Sequence, residues 1–297
     1  MVHWNGSNFE KLPSLEVITQ THDGIREISY DTLLQLVKDR ITQKQDLDGP
    51  LWYDSFNTTP LLKSCGQGDQ YIQITQLLLS HNANPNKADS QGTTPLHKAM
   101  GGFQSETVKT LLEKGAQPNI KNSTGMTPLN TMCWNFYDTL DLLQAERRVT
   151  IVTELLNAHA DPTIKYSWGS TCLHQLLSEC GIYGTHHFSE EKGFIWLSQR
   201  KKLIKLIIDA GGLLTTKNMK GKTTLEAFRN YYNAIDKNDH IELSQCALGC
   251  ARSKLVATIL SPLKSPKFTL FKILPKELVK MIVFMVYPSR KKKTAAT

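Results

Sequence analysis

The stretch "SQGTTPLHKAM", residues 90–100, carries the local chemistry of a helix start. Gly92 supplies a backbone that takes positive φ without a Cβ clash. Thr94 stands where an N-cap belongs, its hydroxyl placed to accept from an N–H that the helix itself leaves unbonded. Pro95 follows at the first helical position, where its missing N–H costs nothing and its φ is already right. Leu96 and Ala99 begin an apolar stripe. Near-copies recur as "NTTPLLKSC" (57–65), "TGMTPLNTM" (124–132), "WGSTCLHQL" (168–176) and "KGKTTLEAF" (220–228).

A second phrase follows each of the first four sites or their successors: "ITQLLLSHNANPN" (74–86), "TVKTLLEKGAQPN" (107–119), "IVTELLNAHADPT" (151–163) and "LIKLIIDAGGLLT" (203–215). Each pairs apolar residues at helical spacing, as in Val108, Leu111 and Leu112, and then stops. Gly115 suits the left-handed residue that closes a helix, and the polar "AQPNIKN" after it reads as a turn. The capping threonines Thr59, Thr94, Thr127, Thr171 and Thr223 lie 35, 33, 44 and 52 residues apart. A unit of about 33 residues holding a turn and two helices is the period of an ankyrin repeat. The chain resembles that family over residues 54–235, most completely at 89–121, with the last two units degraded. The resemblance implies an all-α solenoid in which each unit buries its apolar face against a neighbour. Asn86 and Asn119 match the hairpin asparagine that is hydroxylated in some members from animal cells, and a plain turn asparagine is the alternative.

Bulk properties agree. Hydrophobic residues make up 40% of 297, enough for a continuous core, and no apolar run approaches the roughly 18 residues of a membrane span. The N-terminal "MVHWNGSNFE" shows no secretory pattern. Cys65, Cys133, Cys172, Cys180, Cys246 and Cys250 have no disulfide-framework spacing, so reduced thiols in a cytoplasmic or nuclear compartment are expected. Of the net charge of +8, residues 251–297 carry +10 and residues 1–250 carry −2. The repeat body is therefore not a basic nucleic-acid surface, and any polyanion attraction belongs to the tail ending in "SRKKKTAAT".

Outside the repeats, "ISYDTLLQLVKDRITQ" (28–43) reads as an amphipathic helix within an N-terminal helical cap, residues 1–53. Residues 236–297 read as a C-terminal helical region, with a helix over 240–260. In "FKILPKELVKMIVFMV" (271–286), Leu274, Pro275, Leu278 and Ile282 follow the Leu-Pro-x-Glu-Leu pattern and resemble the start of an F-box. That resemblance implies docking of a Skp1-like subunit of a cullin ubiquitin ligase; a capping helix is the alternative. Ankyrin repeats followed by such an element resemble host-directed proteins of intracellular bacteria and large viruses, acting in the host cytosol.

Enzyme motifs fail by spacing. "GKT" (221–223) lacks the first glycine of a phosphate loop, which would fall on Thr216, and "GQG" (66–68) has Tyr71 where a dinucleotide loop needs glycine. Cys172, His174, Cys180, His186 and His187 form a Cys/His-rich stretch, 172–187, without paired zinc-ligand spacing. No cofactor, no metal and no catalysis are expected. The third and fourth units exceed 33 residues by 11 and 19, and the extra residues fall within 133–150 and 178–202, stretches rich in aromatics. Insertions in repeat proteins often lie on the binding face. The expected partner-binding residues are Gln91, Thr93, Met126 and Ser170 at hairpin positions, with Trp134, Phe136, Tyr137 and Trp168 as anchors; the partner is a protein.

Overall fold

The computed structural model describes residues 18–20, 26–51, 56–134, 142–178, 190–224, 245–251 and 253–254. By compactness the chain divides into two units, Met1–Thr124 and Gly125–Thr297. Each repeats one theme: a hairpin turn, a short inner helix, and an antiparallel outer helix.

The first unit opens with a three-residue antiparallel hairpin, β1 (Ile18–Gln20) with β2 (Arg26–Ile28), which the sequence reading did not include. Helix α1 (Tyr30–Thr42) follows, capped by the Ser29 hydroxyl, with Leu33 and Val37 buried. The pairs α2 (Pro60–Cys65) with α3 (Ile72–Ser80), and α4 (Pro95–Gly101) with α5 (Ser105–Glu113), come next. Inner helix α2 packs on α4, and outer helix α3 packs on both α1 and α5. Helix α1 behaves as an outer helix itself. Asn84 N–H donates to Asp48 Oδ1 (2.8 Å), just as Gln117 N–H donates to Asn86 Oδ1 one repeat later (2.7 Å). Asn86 also donates through Nδ2 to the Gly115 carbonyl at 3.0 Å, so its amide is a repeat-to-repeat clasp.

The second unit holds α6 (Pro128–Trp134) with α7 (Leu142–Asn157), and α8 (Cys172–Ser178) with α9 (Glu190–Asp209). Helices α6 and α8 pack together on the inner side, α7 and α9 on the outer. Residues 245–251 are helical and dock on α9, where Lys254 Nζ donates to the carbonyls of Ile208 and Asp209 at 2.7 and 2.8 Å. Unpaired carbonyls at a helix C-terminus favour a cation there.

The inner helices start where the threonines stand. Thr94 has extended φ and ψ and Pro95 follows it; the Thr94 N–H and hydroxyl both reach His97 Nδ1, at 3.3 and 2.8 Å. Asn130 replaces the histidine in the third repeat, and its Oδ1 takes the same two bonds from Thr127, at 3.1 and 2.9 Å. Thr171 and His174 repeat the arrangement at 3.2 and 2.9 Å. The core is a ladder of matched positions: Leu96, Ala99 and Met100, then Leu173, Leu176 and Leu177, on inner helices; Val108 and Leu111, then Val152 and Leu155, then Ile204 and Ile207, on outer ones.

The long insertions become helix. Outer helices α3 and α5 have nine residues each, whereas α7 has 16 and α9 has 20. Seven of eleven extra residues and eleven of nineteen therefore extend the N-terminal end of the outer helix. Phe194 and Trp196 fall on α9; Phe136, Tyr137, Tyr183 and Phe188 lie outside the described residues, as do the F-box-like residues Leu274, Pro275, Leu278 and Ile282.

Candidate partner-binding surface

The second, fourth and fifth hairpin tips share one backbone turn. In the second repeat, Gly92 N–H donates to the Asp89 carbonyl and Asp89 N–H to the Thr93 carbonyl, at 2.9 and 3.1 Å. The Asp89 carboxylate locks the turn from inside, accepting from the Gln91 and Thr93 N–H groups at 2.9 Å each, and faces Lys98 Nζ at 3.4 Å. Asn218 does the same for Lys220 and Lys222 in the fifth repeat, at 3.0 and 3.1 Å. Such side-chain locks are the usual reason Asp and Asn occupy turns. The closing residue is left-handed in every described tip: Asn57, Gly92, Gly125, Gly169 and Gly221 have φ of 57°, 69°, 76°, 71° and 72°.

Neighbouring tips are joined by one recurring backbone bond. Ser90 N–H donates to the Phe56 carbonyl (2.7 Å) and Ser123 N–H to the Gln91 carbonyl (2.8 Å) in the first unit; Met219 N–H donates to the Trp168 carbonyl (2.9 Å) in the second. These bonds tie neighbouring tips into hydrogen-bonded shelves on which Gln91 and Ser123 in the first unit, and Trp168 and Met219 in the second, are exposed. Rigidity matters for binding, because a preorganised surface loses less freedom on association.

The expected contact residues sit on these shelves to differing extents. Gln91 is exposed, but its Oε1 accepts from the Ser123 hydroxyl at 3.2 Å, so part of it serves tip stacking. Thr93, Met126 and Ser170 are half-buried. Trp168 is 72% exposed at the fourth tip, with φ +67°. Trp134, 40% exposed at the end of α6, packs edge-on against Tyr166, ring centroids 5.9 Å apart. Tyr166 is buried and its hydroxyl bonds Gln175 of α8, so the fourth repeat has exchanged the locking Asp/Asn for an aromatic laid along the inner helices. The structure brings together Trp134, Tyr166, Trp168 and Ser170 in the second unit, and Gln91 with Thr93 in the first. Sequence reasoning missed Phe56 (51% exposed) and Met219 (79% exposed). The signal for Met219 was present: it stands at the tip position where Ser90, Ser123 and Ser167 stand in other repeats.

Among the described residues, Cys65, Cys172, Cys250 and His174 have shifted pKa values. Burial pushes the Cys65 thiol up to about 12. Cys172 lies against Cys133 on α6, and that neighbouring thiol together with burial holds it well above the ordinary cysteine range. Burial, and then the Cys246 thiol, raise Cys250. Thiols held protonated are poor nucleophiles and metal ligands. Burial lowers the His174 pKa, and the Lys165 charge lowers it further, while the backbone of Lys222 and Thr216 acts the other way. Among the described residues, no group of three or more His, Cys, Asp or Glu side chains is placed to hold a metal ion. No described helix is long and apolar enough to cross a membrane.

Comparison with known families agrees with the repeat architecture. The family model for ankyrin repeats matches residues 27–122, in three copies. The match takes in α1, in keeping with the clasp formed by Asp48. No curated protein matches the chain. Apart from the β1–β2 hairpin, the described residues thus form an all-α ankyrin-repeat fold, and α6 to α9 carry its cap, tip and helix register beyond the matched span. Ankyrin repeats are protein–protein interaction modules, in general without catalysis of their own.

Proposed function

We propose that this protein is a non-catalytic recognition module that binds a partner protein through its hairpin tips and inner helices, with Trp134 and Trp168 as anchors and Gln91, Thr93, Met126, Ser170, Phe136 and Tyr137 contributing. The observation that carries the reading is Trp168: a large aromatic, 72% exposed, held at φ +67° on a rigid tip. Left-handed backbone costs an L-residue about 1–2 kcal/mol. Strain of this kind persists where function requires it, and tryptophan is a common interface anchor. The test is capture from eukaryotic cell lysate on immobilised full chain, compared with Trp168→Ala and Trp134→Ala. A protein retained by the full chain and lost from variants that unfold at the same temperature supports the reading; retention by both variants overturns it.

A second reading is that the protein is a host-directed substrate adaptor, with the tips selecting a target and the 271–286 segment recruiting a Skp1-like ligase subunit. Its support is the Leu-Pro-x-Glu-Leu pattern of Leu274, Pro275 and Leu278, with Ile282 after it, on a chain that carries ankyrin repeats. A chain ended after Ser261 that loses Skp1 and a cullin while keeping another protein favours this reading. If no ligase component binds either chain, the segment is not a docking helix.

A further inference from the structure

We infer that the tips of the fourth and fifth repeats form a binding pad for an acidic peptide segment carrying a bulky apolar side chain; the inference rests on the recognition reading above and names its partner's chemistry. The pad's centre is apolar. Trp168 and Met219 are 72% and 79% exposed on adjacent tips joined by the Met219 N–H to Trp168 carbonyl bond. The two tips approach closely: a Cβ at Gly169 would fall 2.9 Å from the Met219 nitrogen and 3.2 Å from its Cγ.

Within the two tip segments the charge has one sign. Residues 162–171 and 210–224 contain Lys165, Lys217, Lys220 and Lys222 and no Asp or Glu. Lys165 Nζ donates to the Lys217 carbonyl at 2.9 Å, which holds one ammonium group between the tips. Asn218, bonded to Lys220 and Lys222 N–H groups, fixes the backbone from which the other lysines project. The first unit's tips differ: the one at 89–93 carries the Asp89 carboxylate against Lys98. Basic charge and exposed apolar area coincide on one preformed shelf, and complementarity demands acidic residues around an apolar anchor.

A polynucleotide fits less well. The pad has no arginine fork for phosphate, Met219 has no ring to stack a base, and residues 1–250 sum to −2. The test is panning of a random dodecapeptide display library against the full chain, followed by affinity measurement of the selected peptides on Trp168→Ala, Met219→Ser and the double variant Lys217→Glu/Lys220→Glu. Serine at 219 reproduces what other repeats hold there, so that variant should fold normally. The expected peptides are rich in Asp and Glu around a bulky apolar residue, bind about tenfold more weakly to each variant, and weaken with added salt. Selected peptides without acidic bias, or indifferent to all three variants, overturn the inference. So does a twelve-nucleotide single-stranded RNA that binds more tightly than the best peptide and requires Trp168. If Trp168→Ala still loses its lysate partner while the peptides fail, the recognition reading stands and only the acidic-peptide assignment falls.

Discussion

Trp168 holds a conformation that favours glycine, and replacing it separates stability from recognition. Relief of about 1–2 kcal/mol of left-handed strain is offset by the extra freedom glycine gives the unfolded chain, about 0.5–1 kcal/mol. Trp168→Gly should therefore match or slightly exceed the parent in chemical denaturation while losing partner binding. His174 gives a second prediction. Its Nδ1 accepts from both the Thr171 N–H and hydroxyl, which places the ring proton on Nε2 and requires a neutral ring. The folded pKa lies below the ordinary value, so the unfolded chain takes up a proton first as pH falls. Stability is then full above about 6.5, declines below it, and levels off once the folded ring also protonates. His174→Asn, which copies Asn130, should keep the cap and flatten this decline; unfolding free energies at pH 7.5 and pH 5 measure it. At this scale the caps were legible because Thr, Pro and Gly act locally. Tyr166 was not: its role depends on Trp134 and Gln175, which lie 32 and 9 residues away in the chain.

Helix boundaries were legible where punctuation is strong, and less so where the insertions begin. The period told that residues were added, but not that seven and eleven of them would lengthen α7 and α9. Register explains part of the difference. Four residues before the matched outer-helix positions Thr75, Val108, Val152 and Ile204 stand Tyr71, Gln104, Arg148 and Arg200, all buried. A charged residue read alone is assigned to water, whereas the same residue in the repeat register falls on an inward position. The C-terminal end of α9 supplies the prediction at this scale. Lys254 reaches two carbonyls there, a cation at the negative end of a helix. Lys254→Ala should lower the unfolding free energy by about 0.5–1 kcal/mol. Lys254→Met, which keeps the aliphatic stem, should lose nearly as much if the charge matters rather than the packing. Urea titrations followed by far-ultraviolet circular dichroism decide between them.

Across the whole chain, charge and repeats are segregated, and that segregation makes its own prediction. Nine Lys/Arg and one acid follow Ser261, a net +8, so the residues up to Ser261 are neutral in sum. Polyanion binding scales with the cations available to displace counterions and weakens steeply with salt. The full chain should bind a heparin column at low salt and elute as salt rises, whereas the chain ended after Ser261 should pass through or elute far earlier. The same truncation should leave selection of an acidic peptide intact, because Trp168, Met219 and Lys217 stay in place. Retention unchanged by the truncation would move the polyanion site onto the repeats, against their −2 charge over residues 1–250. Loss of peptide binding with the tail would mean that attraction to acidic partners is a property of the tail's field rather than of the tip pad. Both measurements are needed, since a basic tail and a lysine-ringed pad attract the same sign of charge, and only the pad should discriminate by shape.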